Sequence, residues 1–280
     1  MVRQSTREAL RLGSYELPTS RTLIMGVLNV TPDSFSDGGL HLDAAVAIDH
    51  AKRMIEDGAD IIDVGGESTR PGAAPVSTDE EIRRVVPVIE AIAGAMGVPV
   101  SIDTRNADVA RRSIEAGAVM INDVTGLRDE AMLDVVRDTG APVTIMHMKG
   151  TPRTMATSNQ YDDMLAEIAA YLVAQAGKAV AAGAQTVIID PGIGFAKNTK
   201  QNLELLNHLN VFTNLGYPLL VGPSRKRFIG ELTDAAADDR IPGTIAAVVK
   251  CVQAGVDIVR VHDVAACKQA ITITEAIERA

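Results

Sequence analysis

Aromatic residues are scarce in this 280-residue chain: Phe and Tyr number four each, Trp is absent, and together they make up 3%. So thin a supply excludes the rows of stacking side chains on which single-stranded nucleic acids are held. Positive charge is short as well. Lys and Arg total 27 against 36 Asp and Glu, a formal net charge of −9, which leaves no chain-wide basic footprint for nucleic acid or an anionic membrane. Cys251 and Cys267 are the only cysteines, without metal-type spacing and too few for a disulfide framework. They read as free thiols in a reducing cytoplasm. The segment MVRQSTREALRLGSYELPTSR has no apolar core of a secretory signal. No uninterrupted apolar run reaches the ~18 residues of a membrane span. The expectation is a soluble protein without nucleic-acid or membrane partners.

What the chain has is core material, 46% hydrophobic, dealt out in eight short apolar runs that each break off on polar residues. TLIMGVLN ends at Asn29, DIIDVGGE carries Asp63 and Glu67, VPVSID ends at Asp103, and VMIND at Asn122 and Asp123. PVTIMH ends at His147, TVIID at Asp190, PLLVGPSRK at Ser224 and Lys226, and VDIVRVH carries Arg260 and His262. Continuous Val/Ile/Leu runs are the mark of strands buried on both faces.

Between the runs, apolar spacings of three and four predict helices over 42–59, 77–96, 107–116, 129–139, 161–182, 200–214, 240–254 and 263–278. In the first, Ala45, Ile48, Ala51 and Ile55 share a face, with Asp43 as the expected N-cap and Gly58 as the stop. The second opens on Ser77 or Thr78 followed by Glu80 and Glu81, a capping-box pattern. Strand and helix thus alternate eight times, which predicts a parallel sheet closed into a (β/α)8 TIM barrel of the α/β class. An open doubly wound sheet is the alternative, but its glycine fingerprint is missing where VTPDSFSDGG follows Asn29. Residues 1–20 lie outside the repeat as a short extension, in which RLGSYELP is expected to form a hairpin at the barrel floor; residues 21–280 form the barrel. The loops 30–42, 68–78 and 148–160 are long, as binding elements on a barrel's top face often are, and the first two are expected to order only around ligand.

In a TIM barrel the carboxyl ends of the strands carry the chemistry. Asp103, Asn122 and Asp190 there offer carboxylates that accept paired N–H bonds and an amide that both donates and accepts, a set for a flat heterocycle. Each acid also reads as a cap for the helix that follows. Arg260 and His262 alternate on the eighth strand, beside Asn29 on the first, with Arg70 on the second loop. These groups suit phosphate oxygens, and the Asn29 oxygen suits Mg²⁺. Against that, Arg260 has Asp263 or a core acid as a pairing partner, Lys226 sits in a basic turn, and His147 reads as a core histidine. No Ser, Cys or Lys nucleophile pattern occurs.

At these residues the chain resembles the dihydropteroate synthase family, the folate-pathway enzymes inhibited by sulfonamides. The resemblance runs from about residue 22 to 278 through GVLNVTPDSFSDGG (26–39), DVGGESTRPGA (63–73), SIDT (101–104), INDV (121–124), MHMKGTPRTM (146–155), DPGIGF (190–195), SRKRFIG (224–230) and RVHDV (260–264). It implies a homodimeric, cytoplasmic TIM-barrel transferase. In it Asp63, Asp103, Asn122, Asp190 and Lys226 hold the pterin. Asn29, Arg70, Arg260 and His262 hold the diphosphate with Mg²⁺ near Asn29, and Phe35, Thr69, Pro71, Phe195 and Ser224 flank p-aminobenzoate. The catalytic share falls to Asp103, Lys226, Arg260 and His262. Two residues depart from the family pattern: Pro223 stands before Ser224, and Ala196 follows Phe195 where glycine is common. The competing readings are a pterin-dependent methyltransferase of the same barrel class, against which the SRK and STRP segments argue, and a non-catalytic homologue, which should lack some of the anion-site groups.

Overall fold

The computed structural model describes residues 9–30, 40–67, 76–151, 154–155 and 158–280. Two short strands come first, β1 (Ala9–Leu12) and β2 (Tyr15–Pro18), paired antiparallel around Gly13, which adopts φ +60°. This is the expected hairpin. Leu10 and Leu12 are buried against Leu23, Met25, Ile61, Met120, Ile188, Leu220 and Ile258, so the hairpin closes the barrel floor. Gln185 pins its turn, accepting from Gly13 N at 2.9 Å and donating to Gly13 O at 3.1 Å.

The barrel follows as β3 (Leu23–Asn29), α1 (Leu40–Glu56), β4 (Ile61–Gly65), α2 (Thr78–Ile92), β5 (Val100–Asp103), α3 (Ala107–Glu115), β6 (Met120–Asp123) and α4 (Glu130–Thr139). Then come β7 (Val143–Met146), α5 (Met164–Ala181), β8 (Val187–Asp190), α6 (Thr199–Asn207), α7 (Asn210–Thr213), β9 (Leu220–Val221), α8 (Arg227–Thr233), α9 (Ile241–Gln253), β10 (Ile258–Val261) and α10 (Val264–Arg279). The eight barrel strands are all parallel, in the order β8-β7-β6-β5-β4-β3-β10-β9. A single bridge, Ile189 to Leu219, closes β8 onto β9. Outward strand residues such as Ile24, Ile62, Ile102, Ile121, Ile145, Ile189 and Val259 pack on the helices.

Three expectations are corrected in detail. Asp43 is inside α1, which begins at Leu40, rather than at its cap. The helix expected over 200–214 is split into α6 and α7, the first ending where His208 N is shared between Glu204 O and Leu205 O, each at 3.1 Å. The apolar run 218–226 contributes only Leu220–Val221 to the sheet, because Gly222 and Pro223 follow and proline has no N–H for the ladder. By length and composition α5 is apolar enough to cross a membrane, although Glu167 and Lys178 interrupt its apolar run. In the fold it is a barrel helix: Ile168, Leu172, Ala176 and Ala179 are buried, and Gln175 donates to Gly126 O at 2.8 Å.

Candidate active site

Strand alternation brings the polar ends together. Side chains at every second position face inward, and the floor residues fix the phase. Counting on from Ile258 gives Arg260 and, one past β10, His262; from Ile61 come Asp63 and Gly65. Asn122 follows Met120 on β6, Asp190 follows Ile188 on β8, and Asp103 lies beside Asn122 in register.

Arg260 reaches across β3 to two acids. Its Nε donates to Asp63 Oδ2 and its Nη2 to Asp103 Oδ2, both at 2.6 Å. Asn122 Nδ2 donates to the same Asp63 oxygen at 3.0 Å. The second oxygens, Asp63 Oδ1 and Asp103 Oδ1, are buried and have no hydrogen-bond partner among the described residues. A buried acceptor left unsatisfied costs about 1–3 kcal/mol, so this corner of the mouth is built for donors that a ligand brings. Asn29 stands next to it: a Cβ added at Gly65 would lie 3.7 Å from Asp103 Oδ2 and 3.8 Å from Asn29 Oδ1.

Asp190 accepts from Gly192 N at 2.7 Å, within the turn it begins. Only glycine fits there. Gly192 has φ +74°, and a Cβ would stand 2.1 Å from His147 O. Two residues on, Gly194 at φ +82° would push a Cβ to 2.8 Å from Lys226 Cδ. Ala196 lies in the left-handed region too, at φ 49°, which is the physical reason glycine is favoured at that position. Lys226 precedes α8 and holds its ammonium 4.3 Å over the ring of Phe195. His262 binds Ser224: its backbone N donates to Ser224 Oγ at 3.2 Å, and its Nδ1 is 3.0 Å from that oxygen.

The burial of so much charge shifts its titration. Burial lifts the Asp103 carboxyl to about 7, against the pull of Arg260, with the negative charge of Asp63 adding to the rise. Burial likewise lifts Asp190 to about 6, opposed by its bond from Gly192 and by Lys226. Lys226 is lowered to about 8 by burial and by Arg260. His262 falls to about 3, from burial first and then the charges of Arg260 and Arg225, so its ring is neutral. Burial works against the charge of Arg260, but Asp63 and Asp103 outweigh it and raise its pKa.

The structure decides between several readings of single residues. Asp103 does not cap the helix that follows; Asn106 does, accepting from Asp108 N at 3.0 Å. Asp263 pairs with Arg225, at 2.9 and 2.6 Å, and not with Arg260, whose partners are the core acids. Lys226 is part-buried, whereas its neighbour Arg227 is exposed and pairs with Glu231 at 2.5 Å. Phe35, Thr69, Arg70, Pro71 and most of the loops 30–42 and 68–78 lie outside the described residues. No group of three or more His, Cys, Asp or Glu suited to a metal is found among the described residues.

Lys197 escaped sequence reading altogether. Its ammonium donates to Gly192 O and Phe195 O, each at 3.0 Å, and lies 3.3 Å from His147 Nδ1. Between Ala196 and Asn198, the cap of α6, it has the look of an ordinary solvated loop lysine, and no spacing signal marks it. In the sequence Glu67 reads only as a polar ending. It is a clamp, accepting from Arg105 Nε and Nη2, each at 2.9 Å, and from Val76 N at 3.2 Å across the second loop.

Comparison with known proteins points one way. A family model described as pterin binding enzyme matches residues 25–262. The chain is 46% identical over 262 residues to the dihydropteroate synthase of Escherichia coli K12, covering 93% of each. Among solved structures it is similar to the Xanthomonas albilineans dihydropteroate synthase with 4-aminobenzoic acid, at TM-score 0.92 and 45% identity, covering 98% of this chain and 100% of that one. It is similar also to that organism's enzyme in complex with 7,8-dihydropteroate, at TM-score 0.88 and 42% identity, covering 97% and 99%.

Proposed function

Because the chain belongs to the dihydropteroate synthase family of pterin-binding enzymes, we propose that its strand ends divide that family's substrate pair between them. The reaction is the condensation of 6-hydroxymethyl-7,8-dihydropterin diphosphate with p-aminobenzoate, giving 7,8-dihydropteroate and diphosphate, a transfer of a pterinylmethyl group in folate biosynthesis.

Asp63, Asp103, Asn122, Asp190 and Lys226 hold the pterin. The observation that carries this assignment is the pair of buried carboxylate oxygens without donors, Asp63 Oδ1 and Asp103 Oδ1, beside the Asn122 amide. The amino-pyrimidinone edge of a pterin supplies N–H donors of the kind they lack. Arg260, His262, Asn29 and Arg70 take the diphosphate. Arg260 stands at the border of the two sets, paired with the pterin acids until an anion offers it further oxygens. His262, neutral and tied to Ser224, donates one ring N–H. Phe195 and Ser224, with Phe35, Thr69 and Pro71, flank p-aminobenzoate and hence sulfonamides that imitate it.

The steps need no protein nucleophile. The methylene C–O bond breaks and diphosphate departs with both electrons, its charge met by Arg260 and His262. The cation left on the pterin methylene is stabilised by Asp103 as a carboxylate. The arylamine nitrogen then forms the C–N bond and releases its proton to solvent, its approach set by the groups that bind both substrates. Mg²⁺ is part of this reading: when bound, it would supply charge neutralisation to the leaving diphosphate. The residue that would hold it is Asn29, whose amide oxygen is a hard donor beside Asp103, in keeping with a Mg²⁺ site completed by substrate oxygens and water.

The same reading includes one barrel domain over 21–280 with the extension 1–20, and a homodimer. In support of the dimer, α6, α8 and α9 line an apolar groove of about 350 Å³ with Leu203 and Leu232 exposed at its rim. It also includes a cytoplasmic location, in keeping with two free, buried thiols. The test of function is diphosphate release by the purified enzyme with and without p-aminobenzoate. Release should depend on the arylamine; release that ignores it contradicts the reading and favours the methyltransferase alternative.

A further inference from the structure

His147 closes the fifth barrel strand with a polar residue, yet its ring contacts are to Tyr161, Tyr171 and Lys197 rather than to the side chains given to pterin, diphosphate or arylamine. Its surroundings are specific all the same. The backbone N of His147 donates to Asp190 O at 2.9 Å, tying the end of β7 to the end of β8. Its ring is buried, with Tyr171 edge-on at 5.1 Å and Tyr161 tilted at 6.1 Å. The ring is also neutral: burial, then the charges of Lys197, Lys149 and Arg128, bring His147 to about 3. A neutral imidazole has one bare nitrogen, and here Nδ1 faces the ammonium of Lys197 at 3.3 Å. The other two protons of that ammonium go to Gly192 O and Phe195 O, each at 3.0 Å. All three donors are therefore spent on fixed acceptors.

Those acceptors matter for their place. Gly192 supplies the N–H that Asp190 accepts, and Phe195 is the ring under Lys226. Lys197 thus ties together both ends of the turn that starts at Asp190 and finishes at Phe195. We propose that Lys197, held from behind by His147, is a positioning residue for the pterin: it sets the Asp190–Phe195 turn and supplies the positive charge behind the Asp190 carboxylate. The proposal rests on the pterin reading of Asp190.

The electrostatics agree with the geometry. The charge of Lys197 holds Asp190 down, and that of Asp190 holds Lys197 up, against burial that lifts the one to about 6 and lowers the other to about 7. The other charged groups that face this pair are Lys226 before α8, Arg260 on β10, and Lys149 after β7, with Arg128 on the loop after β6 acting on His147. All are cations, so removing Lys197 subtracts one of several positive charges. Asp190 should then hold its proton to a higher pH.

The test compares Lys197→Met, Lys197→Arg and His147→Ala with the parent enzyme by steady-state kinetics from pH 5 to 9. Lys197→Met should raise KM for the dihydropterin diphosphate at least tenfold. It should shift the acidic limb of its kcat/KM profile upward by half a pH unit or more, while KM for p-aminobenzoate, which Phe195 flanks, rises by a clearly smaller factor than that for the pterin substrate. Lys197→Arg, which keeps the charge, should bring the limb back towards its parent position. His147→Ala should give the same split at smaller size, and it carries the test alone if Lys197→Met does not fold. An unmoved limb with unchanged pterin KM overturns the proposal, as does an equal rise in both KM values. Asp190→Ala measured alongside separates the two claims. If it too leaves pterin binding intact, the pterin reading itself has failed.

Discussion

At the floor of the barrel, Leu10 and Leu12 of the hairpin meet Leu23, Met25, Ile61, Met120, Ile188, Leu220 and Ile258, an apolar cluster buried throughout. Two residues further along the same inward positions, Arg260, Asp63, Asn122 and Asp190 crowd the opposite mouth, with two carboxylate oxygens lacking any donor among the described residues. The floor gains stability from transfer of apolar surface out of water, about 1.5–3 kcal/mol for each large side chain. The mouth spends stability on buried charge, because desolvation costs more than imperfect pairing returns. One set of strands thus serves two ends. Conservative repacking should be tolerated at the floor, whereas the mouth needs its particular donors and acceptors.

The comparison is most sharply broken at Arg260. Arg260→Ala removes the shared partner of Asp63 and Asp103 and the principal cation offered to the diphosphate. Losing charge-assisted bonds worth roughly 1.5–3 kcal/mol each should weaken the dihydropterin diphosphate about 100-fold or more. A free pterin should lose far less, as calorimetry with both ligands would show. Equal losses would count against an anion role. At the other end, Leu12→Ala should cost about 2–5 kcal/mol in stability by chemical denaturation and leave kcat/KM within about twofold. A large fall in kcat/KM with the fold intact would show that the two ends are coupled.

A smaller effect tests the cost of charge at the mouth. Burial raises Asp103 to about 7, so between about pH 4 and 7 the native protein keeps a proton that the unfolded chain has released. The stability contributed by this group is whole below about 4 and is lost as pH rises through 7. Asp103→Asn does not titrate. Its ligand-free Tm, relative to the parent, should therefore climb by about 2 °C or more between pH 5 and 8. A difference that stays constant with pH would contradict the assignment of that burden to Asp103.

Most of this contrast can be read in the sequence, for a simple reason. A strand buried on both faces writes itself as an apolar run, and a period of two then dictates that Asp63, Asp103, Asn122, Asp190 and Arg260 converge. The hairpin was legible from Gly13 between two short alternating segments. Illegible was everything that depends on which charge finds which. Arg260 goes to Asp63 and Asp103, and Asp263 to Arg225, although Asp263 is the nearer acid to Arg260 in sequence. Lys197 was invisible because three of its neighbours in space, Gly192, Phe195 and His147, identify it only through main-chain carbonyls and one ring nitrogen. The short β9 was hidden because Pro223 cuts a run that hydrophobicity alone would extend.

The central claim, that the strand ends at this mouth grip a pterin ring, is tested most directly by titrating a pterin without diphosphate into the parent protein and Asp190→Ala by calorimetry, with Tm recorded for both. The account predicts affinity lower by about 100-fold, the scale of losing charge-assisted hydrogen bonds to a buried carboxylate, with Tm lowered by the orphaned Gly192 N–H but still well above the titration temperature, so that both proteins are compared folded. Unchanged affinity in a folded Asp190→Ala protein would contradict it.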